Sequence, residues 1–277
     1  MGHMNTSTSV VRQDSLLIVL VKMFGRILPT LFLVGCLVAL WQWYVLANDM
    51  RPSTLPTPER VVRQGWAFRG QLWENTIPTL QETFIGFGLS VCFGTILAIL
   101  IDFSSLLRKA IYPLLVASQT IPIIAIAPLM IIWFGFGLTP KILVVILVTF
   151  FPITVGFIDG FKSTEPELMS LFGTMGASKY QKFRYLRFPS ALPSFFIGLR
   201  IGITYAVVGA VFAEYVGAKK GLGIYMLIQK NSFRTDLVLA AVLVTALVSI
   251  SLFSIVSILQ RISIPWYGES SRSQQNL

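Results

Sequence analysis

Six stretches of the chain run almost without charge: Ile27–Asn48, Thr83–Ile101, Ala110–Pro140, Ile142–Ile158, Phe188–Ala213 and Leu237–Gln260. Each approaches or exceeds the ~20 residues that an α-helix needs to cross ~30 Å of hydrocarbon. A charged side chain at the bilayer centre is costly, so uncharged runs of this length predict spans. Only Phe188–Ala213 contains a charge, Arg200, read as lying near one end of its run, where a long side chain reaches the headgroups. The pattern predicts an all-α membrane protein with six transmembrane helices over residues 27–260. The first run is too long for the apolar part of a signal peptide, and no small-residue cleavage pattern follows it.

Two flanking segments have a mixed pattern that suits the membrane surface. Residues 5–26 are expected to form a cytoplasmic interfacial segment, because Val10, Val11, Leu16, Leu17, Val19, Leu20 and Phe24 alternate with Arg12, Lys22 and Arg26. After the first run, Leu55-Pro56-Thr57-Pro58-Glu59-Arg60 reads as a helix start, with Thr57 as N-cap and Pro58 at the first helical position. Trp66, Phe68, Leu72 and Trp73 then give an amphipathic aromatic face, read as a surface connector at headgroup level.

Composition agrees with the pattern. Of 277 residues, 55% are hydrophobic and 12% charged, against roughly 25% charged in a soluble domain. The net charge of +10 therefore belongs to loops around a bilayer and not to a nucleic-acid surface. With the N-terminus inside, the short-loop Lys and Arg divide twelve to nine in favour of the cytoplasm, and Lys162–Arg187 alone holds five of them. Both termini are thus expected in the cytoplasm, with residues 261–277 as a tail. The one histidine, His3, falls in Met1–Met4, which reads as a cloning scar ahead of a natural start at Met4. Histidine triads, relays and metal ligands are excluded with it. Cys36 and Cys92 lie in apolar runs without CxxC spacing and read as packing residues; no metal site is expected.

The loop at 161–189 carries the densest signal. Thr164 and Glu167 have capping-box spacing and Pro166 suits a first turn, which predicts a helix from Glu165. Leu168, Leu171, Phe172 and Met175 follow at helical spacing as an apolar face. Gly173 precedes Gly176-Ala177-Ser178, which predicts a sharp turn before a basic second helix that runs to Pro189. This element is too short to fold alone and is apolar on a face that needs a cover. It reads as a docking element for a partner.

At this loop the sequence resembles the permease subunits of bacterial ABC importers of the binding-protein-dependent type. Their signature is Glu-Ala-Ala, three residues, Gly, nine residues, then Ile-x-Leu-Pro. Aligned on Gly176, the closing four places fall on Leu186, Arg187, Phe188 and Pro189, with both gaps matched. The Glu-Ala-Ala places fall on Ser170, Leu171 and Phe172, a departure from the pattern. The resemblance spans roughly residues 55–260. Leu55-Pro-Thr-Pro-Glu-Arg-Val, Ile121-Pro-Ile-Ile-Ala-Ile-Ala-Pro-Leu, Trp133-Phe-Gly-Phe-Gly, Thr174-Met-Gly-Ala-Ser and Ala213-Glu-Tyr-Val-Gly resemble the branch serving nitrate, sulfonates, taurine and vitamin-related heterocycles. Phe188 to Val211 is most similar to the permeases for thiamine pyrimidines and riboflavin.

The resemblance implies the type I importer permease fold with a cytoplasmic coupling helix between spans four and five. It implies that Glu165, Glu167, Leu171, Phe172, Gly173, Met175, Gly176, Ala177 and Ser178 meet an ATPase subunit. It further implies a homodimer, two ATP-binding subunits that hold ATP and Mg, an extracytoplasmic binding protein, and residence in the bacterial inner membrane. The residues agree on one point: no Gly-x-x-x-x-Gly-Lys-Ser/Thr loop occurs, so this chain does not cradle ATP phosphates itself. An ATP-independent secondary transporter is the competing class. Such proteins place ionisable groups at mid-membrane, which these runs nearly lack.

Polar groups within spans are the remaining candidates. Ser118, Gln119 and Thr120 precede Pro122, with Pro113 and Pro128 nearby, and either face the pore or belong to a packed kink. Tyr205 and Glu214 share the fifth span. Glu214 reads either as a gate or substrate group, or as an interfacial carboxylate paired with Lys219 or Lys220. Glu82 reads as an interface residue. Gly217, Gly221 and Gly223 loosen the outer loop before an expected short re-entrant helix over Leu222–Gln229.

Overall fold

The computed structural model describes residues 11–266, and for residues 11–27 only the helical backbone. The expected cloning scar at 1–4, residues 5–10 and most of the expected tail lie outside the described residues. All regular structure among those described is helical: α1 (Val11–Ala47), α2 (Pro58–Ala67), α3 (Arg69–Phe103), α4 (Ser105–Ser118), α5 (Ile123–Phe134), α6 (Leu138–Lys162), α7 (Pro166–Thr174), α8 (Lys179–Lys182), a π-helical turn (Phe183–Arg187), α9 (Phe188–Gly217), α10 (Leu222–Asn231) and α11 (Thr235–Ser263).

Five helical stretches are long and apolar enough to cross a membrane: Leu28–Ala47 within α1, α3, α6, the continuous run Lys179–Gly217, and α11. The sixth expected span, Ala110–Pro140, is not one helix. It is the pair α4 and α5, bent by 100° at Gln119–Pro122. Pro122 lacks the N–H that would continue the ladder, so the chain breaks there. Pro140 belongs to α6, which starts after a turn in which Gly135 and Gly137 have positive φ.

The core is built by α3, α6 and α9. The buried face of α3 is a stripe of small and hydroxyl side chains, Thr76, Thr79, Thr83, Gly86, Ser90, Gly94 and Ala98. Such residues let helix backbones approach closely, and packing of this kind drives helix association in lipid. Between α6 and α9 the backbones approach closely: a Cβ on Gly156 would meet the Ser194 carbonyl at 2.9 Å. Val145, Ile153, Phe196, Ile203, Val207 and Leu252 fill the centre, and Phe157, stacked on Phe161 and Phe195, fills the region below.

Several sequence expectations are corrected. The second span starts at Arg69, not Thr83, and at 35 residues is roughly 52 Å long at 1.5 Å per residue. Glu82 is therefore inside it, fully buried and ion-paired with Lys141 of α6. Arg200 lies near the middle of Lys179–Gly217, half-buried, with its guanidinium 5.8 Å from the Phe253 ring centre. Cys36 and Cys92 are exposed on the outer faces of their helices, not packed inside. The backbone of α1 is helical without a break from Val11 into the first span, so no turn separates an interfacial helix from it. The basic second helix does not stop at Pro189. The π turn lets the Phe188 N–H donate to the Phe183 carbonyl, which absorbs the donor that Pro189 lacks, and α9 continues.

The helix start at Thr57 and Pro58 is observed as read, with the Thr57 hydroxyl accepting from the Arg60 N–H at 3.3 Å. α2 is held to α11 by Asp236, whose carboxylate accepts from Arg60 at 3.2 Å and Arg234 at 3.1 Å. α2 and α10 thus sit at one end of the bundle, and α7 and α8 at the other.

Candidate functional site

The α7–α8 loop is built by local chemistry. Thr164 and Glu167 do not form the expected capping box. Pro166 occupies the first position of α7, which makes Glu165 the N-cap, and the Thr164 hydroxyl instead donates to the Phe161 carbonyl, closing α6. The capping box falls one helix later, where the Ser178 hydroxyl accepts from the Gln181 N–H and the Gln181 side chain accepts from the Ser178 N–H. Between the helices, Gly176 turns the chain at φ +74°, the left-handed region where a Cβ is strained.

The face of α7 predicted to be apolar is uncovered. Leu168 and Leu171 are exposed, Met175 is 75% exposed, and Phe172 is half-buried. Glu165, Glu167 and Gly173 share this exposure, as do Gly176 and Ser178, while Ala177 is partly covered. Tyr180 and Tyr185 extend the open surface. Contiguous apolar surface rimmed by polar groups marks a protein contact.

The polar groups of the broken span lie at its break. Ser118 and Thr120 turn their hydroxyls back onto the carbonyls of Leu115 and Ala117, while Gln119 is exposed. Ser118, Gln119, Pro122, Ile126 and, on α6, Leu147 and Val148 line a cavity of ≈ 310 Å³. Val148 packs against Gly209 of α9, one helical turn from Tyr205, which is 50% exposed on the free face of α9 with Ile197, Ile201 and Val208. Gln119 and Tyr205 are thereby linked through Val148 and Gly209.

Glu214 has a different setting. It is fully buried and pairs with neither Lys219 nor Lys220. Its carboxylate accepts from the Thr79 hydroxyl at 2.6 Å and from the Gly223 N–H at 2.7 Å. Thr79 accepts from the Leu222 N–H, and the Asn75 side chain accepts from the Gly221 N–H. Three successive N–H groups at the start of α10 are thus satisfied by α3 and α9. Gly221, at φ +140°, leaves no room for a Cβ beside the carboxylate. Sequence reasoning missed Asn75 and Thr79. The available signal was the polar stripe at three- and four-residue spacing along α3.

The sequence and the fold match known proteins. Residues 90–268 match the family model for the binding-protein-dependent transport system inner membrane component. The chain belongs to this family. The formylaminopyrimidine transport permease protein ThiX of Halalkalibacterium halodurans is 40% identical over 86% of this chain and 95% of its own length. The riboflavin transport system permease protein RibX of Chloroflexus aurantiacus is 36% identical, covering 83% and 87%. Among solved structures, an amino acid ABC transporter superposes with a TM-score of 0.60 at 15% identity, over 70% of this chain and 95% of that one, and shares the fold.

The protein is accordingly a multi-pass permease subunit of an ABC importer, with the type I permease fold. It is not an enzyme: ATP hydrolysis lies in a separate subunit, and a substrate-binding protein works with the permease.

Proposed function

We propose that two copies of this chain form the pathway for a small vitamin-related heterocycle of the thiamine-pyrimidine or riboflavin kind. α7 and the Gly176 turn seat in the partner ATPase subunits, which bind ATP and Mg. The observation that carries the coupling reading is the uncovered apolar face of α7 beside a left-handed glycine. Its five-positive loop faces the cytoplasm under the positive-inside rule, which puts both termini there and α2 and α10 on the outer side, where the binding protein docks.

The substrate class rests on the two vitamin-importer relatives and agrees with the pathway candidates. Gln119 offers amide donors and acceptors, and Tyr205 an aromatic face with a hydroxyl. Heterocycles need both. Fixed carboxylates are kept out of that surface, because Glu82 and Glu214 are buried in helix packing. Uptake assays on vesicles carrying the complete importer test the reading. Formylaminopyrimidine or riboflavin should be accumulated with ATP and taurine should not; accumulation of taurine alone would overturn the substrate class.

A further inference from the structure

Asp102 stands at the cytoplasmic end of α3 with its side chain 2% exposed, and two arginines from different elements converge on it. Arg187, the last residue of the π turn, donates from Nη2 to Asp102 Oδ1 at 2.6 Å. Arg108, in the first turn of α4, reaches the same oxygen only at 3.4 Å. The second carboxylate oxygen, Oδ2, is buried with no partner, and so is Nε of Arg108. An arginine and a carboxylate satisfy each other best through two parallel bonds. Here the two unused halves of such a fork sit on the same pair, and buried polar atoms left in that state are costly.

The elements that meet at Asp102 have distinct roles. Arg187 is carried by the helix that leaves the Gly176 turn, and the π turn that presents it is a local departure of the kind found at functional sites. Arg108 is carried by α4, joined to α3 through the single extended residue Ser104 and ending at Ser118, where the broken span bends. A shift of the loop reaches Arg187, then Asp102, then Arg108 and the far end of α4.

We propose that Asp102 is a positioning residue for transport. In the present state Arg187 holds it, and in the alternate transport state Arg108 closes on its free oxygen as a two-bond fork, moving α4 and the bend at Gln119. This inference rests on the α7 docking reading. The test uses the complete importer in vesicles, with uptake rate per assembled complex measured against the concentration of loaded binding protein. Arg108→Lys keeps the charge and removes the fork. Its side chain is 41% exposed, so assembly is retained. Its maximal rate should fall about tenfold, the range by which residues on a coupling path change linkage. The binding-protein concentration for half-maximal uptake should stay unchanged. Asp102→Asn should lower the rate in the same manner.

A wild-type maximal rate for Arg108→Lys would overturn the clasp, whatever Asp102→Asn does to assembly. Failure of the docking reading shows separately, as ATPase subunits that remain bound to a Leu171→Glu permease.

Discussion

Gly176 and Glu214 show how much rests on single residues. A β-branched residue at Gly176 would be forced into φ +74°, a strained region for any side chain, with open space around it. Gly176→Val should therefore leave the inserted bundle folded and abolish substrate-stimulated ATP hydrolysis in the reconstituted importer. Glu214→Ala acts inside the fold. It strands the Gly223 N–H, at about 1–3 kcal/mol for a buried group left unpaired, while the Thr79 hydroxyl keeps the Asn75 carbonyl as acceptor. Thermal unfolding of the detergent-purified permease should show the lower midpoint, with Glu214→Gln losing less. The sequence pointed to both residues, yet only for Gly176 was the local role legible. A turn glycine announces itself through its neighbours, whereas the partner of Glu214 on α3, Thr79, lies 135 residues away.

At the scale of elements, α7 is the helix whose surface contradicts its surroundings. Leu171 is 52% exposed, so Leu171→Glu costs no core packing. It should prevent co-purification of the ATPase subunits while leaving permease yield unchanged. The spans were legible because lipid demands long uncharged runs, but their ends were not. Counting charges placed the second span's start at Thr83, since it sees Glu82 and not the Lys141 that pairs with it 59 residues on. The third span was read as one run because its residues are apolar throughout, and hydropathy carries no direction. Only Pro122 signalled the bend. The capping box falls at Ser178 and not at Thr164 because Pro166 takes the first helical position, which makes Glu165 the N-cap of α7.

For the whole molecule, the arrangement separates two ends. One is tied by buried groups: Asp236 joins α2 to α11, and Glu214 joins α10 to α3 and α9. The other presents the α7–α8 loop on the continuous helix Lys179–Gly217, so force on the loop acts along a span that packs on α6 and bears Tyr205. The ATPase subunit is proposed to seat on this loop. Disulfide cross-linking of Met175→Cys, with Cys36 and Cys92 replaced by Ala, to a cysteine in the ATPase groove of the assembled importer tests it most directly. A permease–ATPase adduct should form, halt ATP hydrolysis and release it again on reduction. A Met175→Cys permease that forms no such adduct in an active complex would contradict the proposed seating.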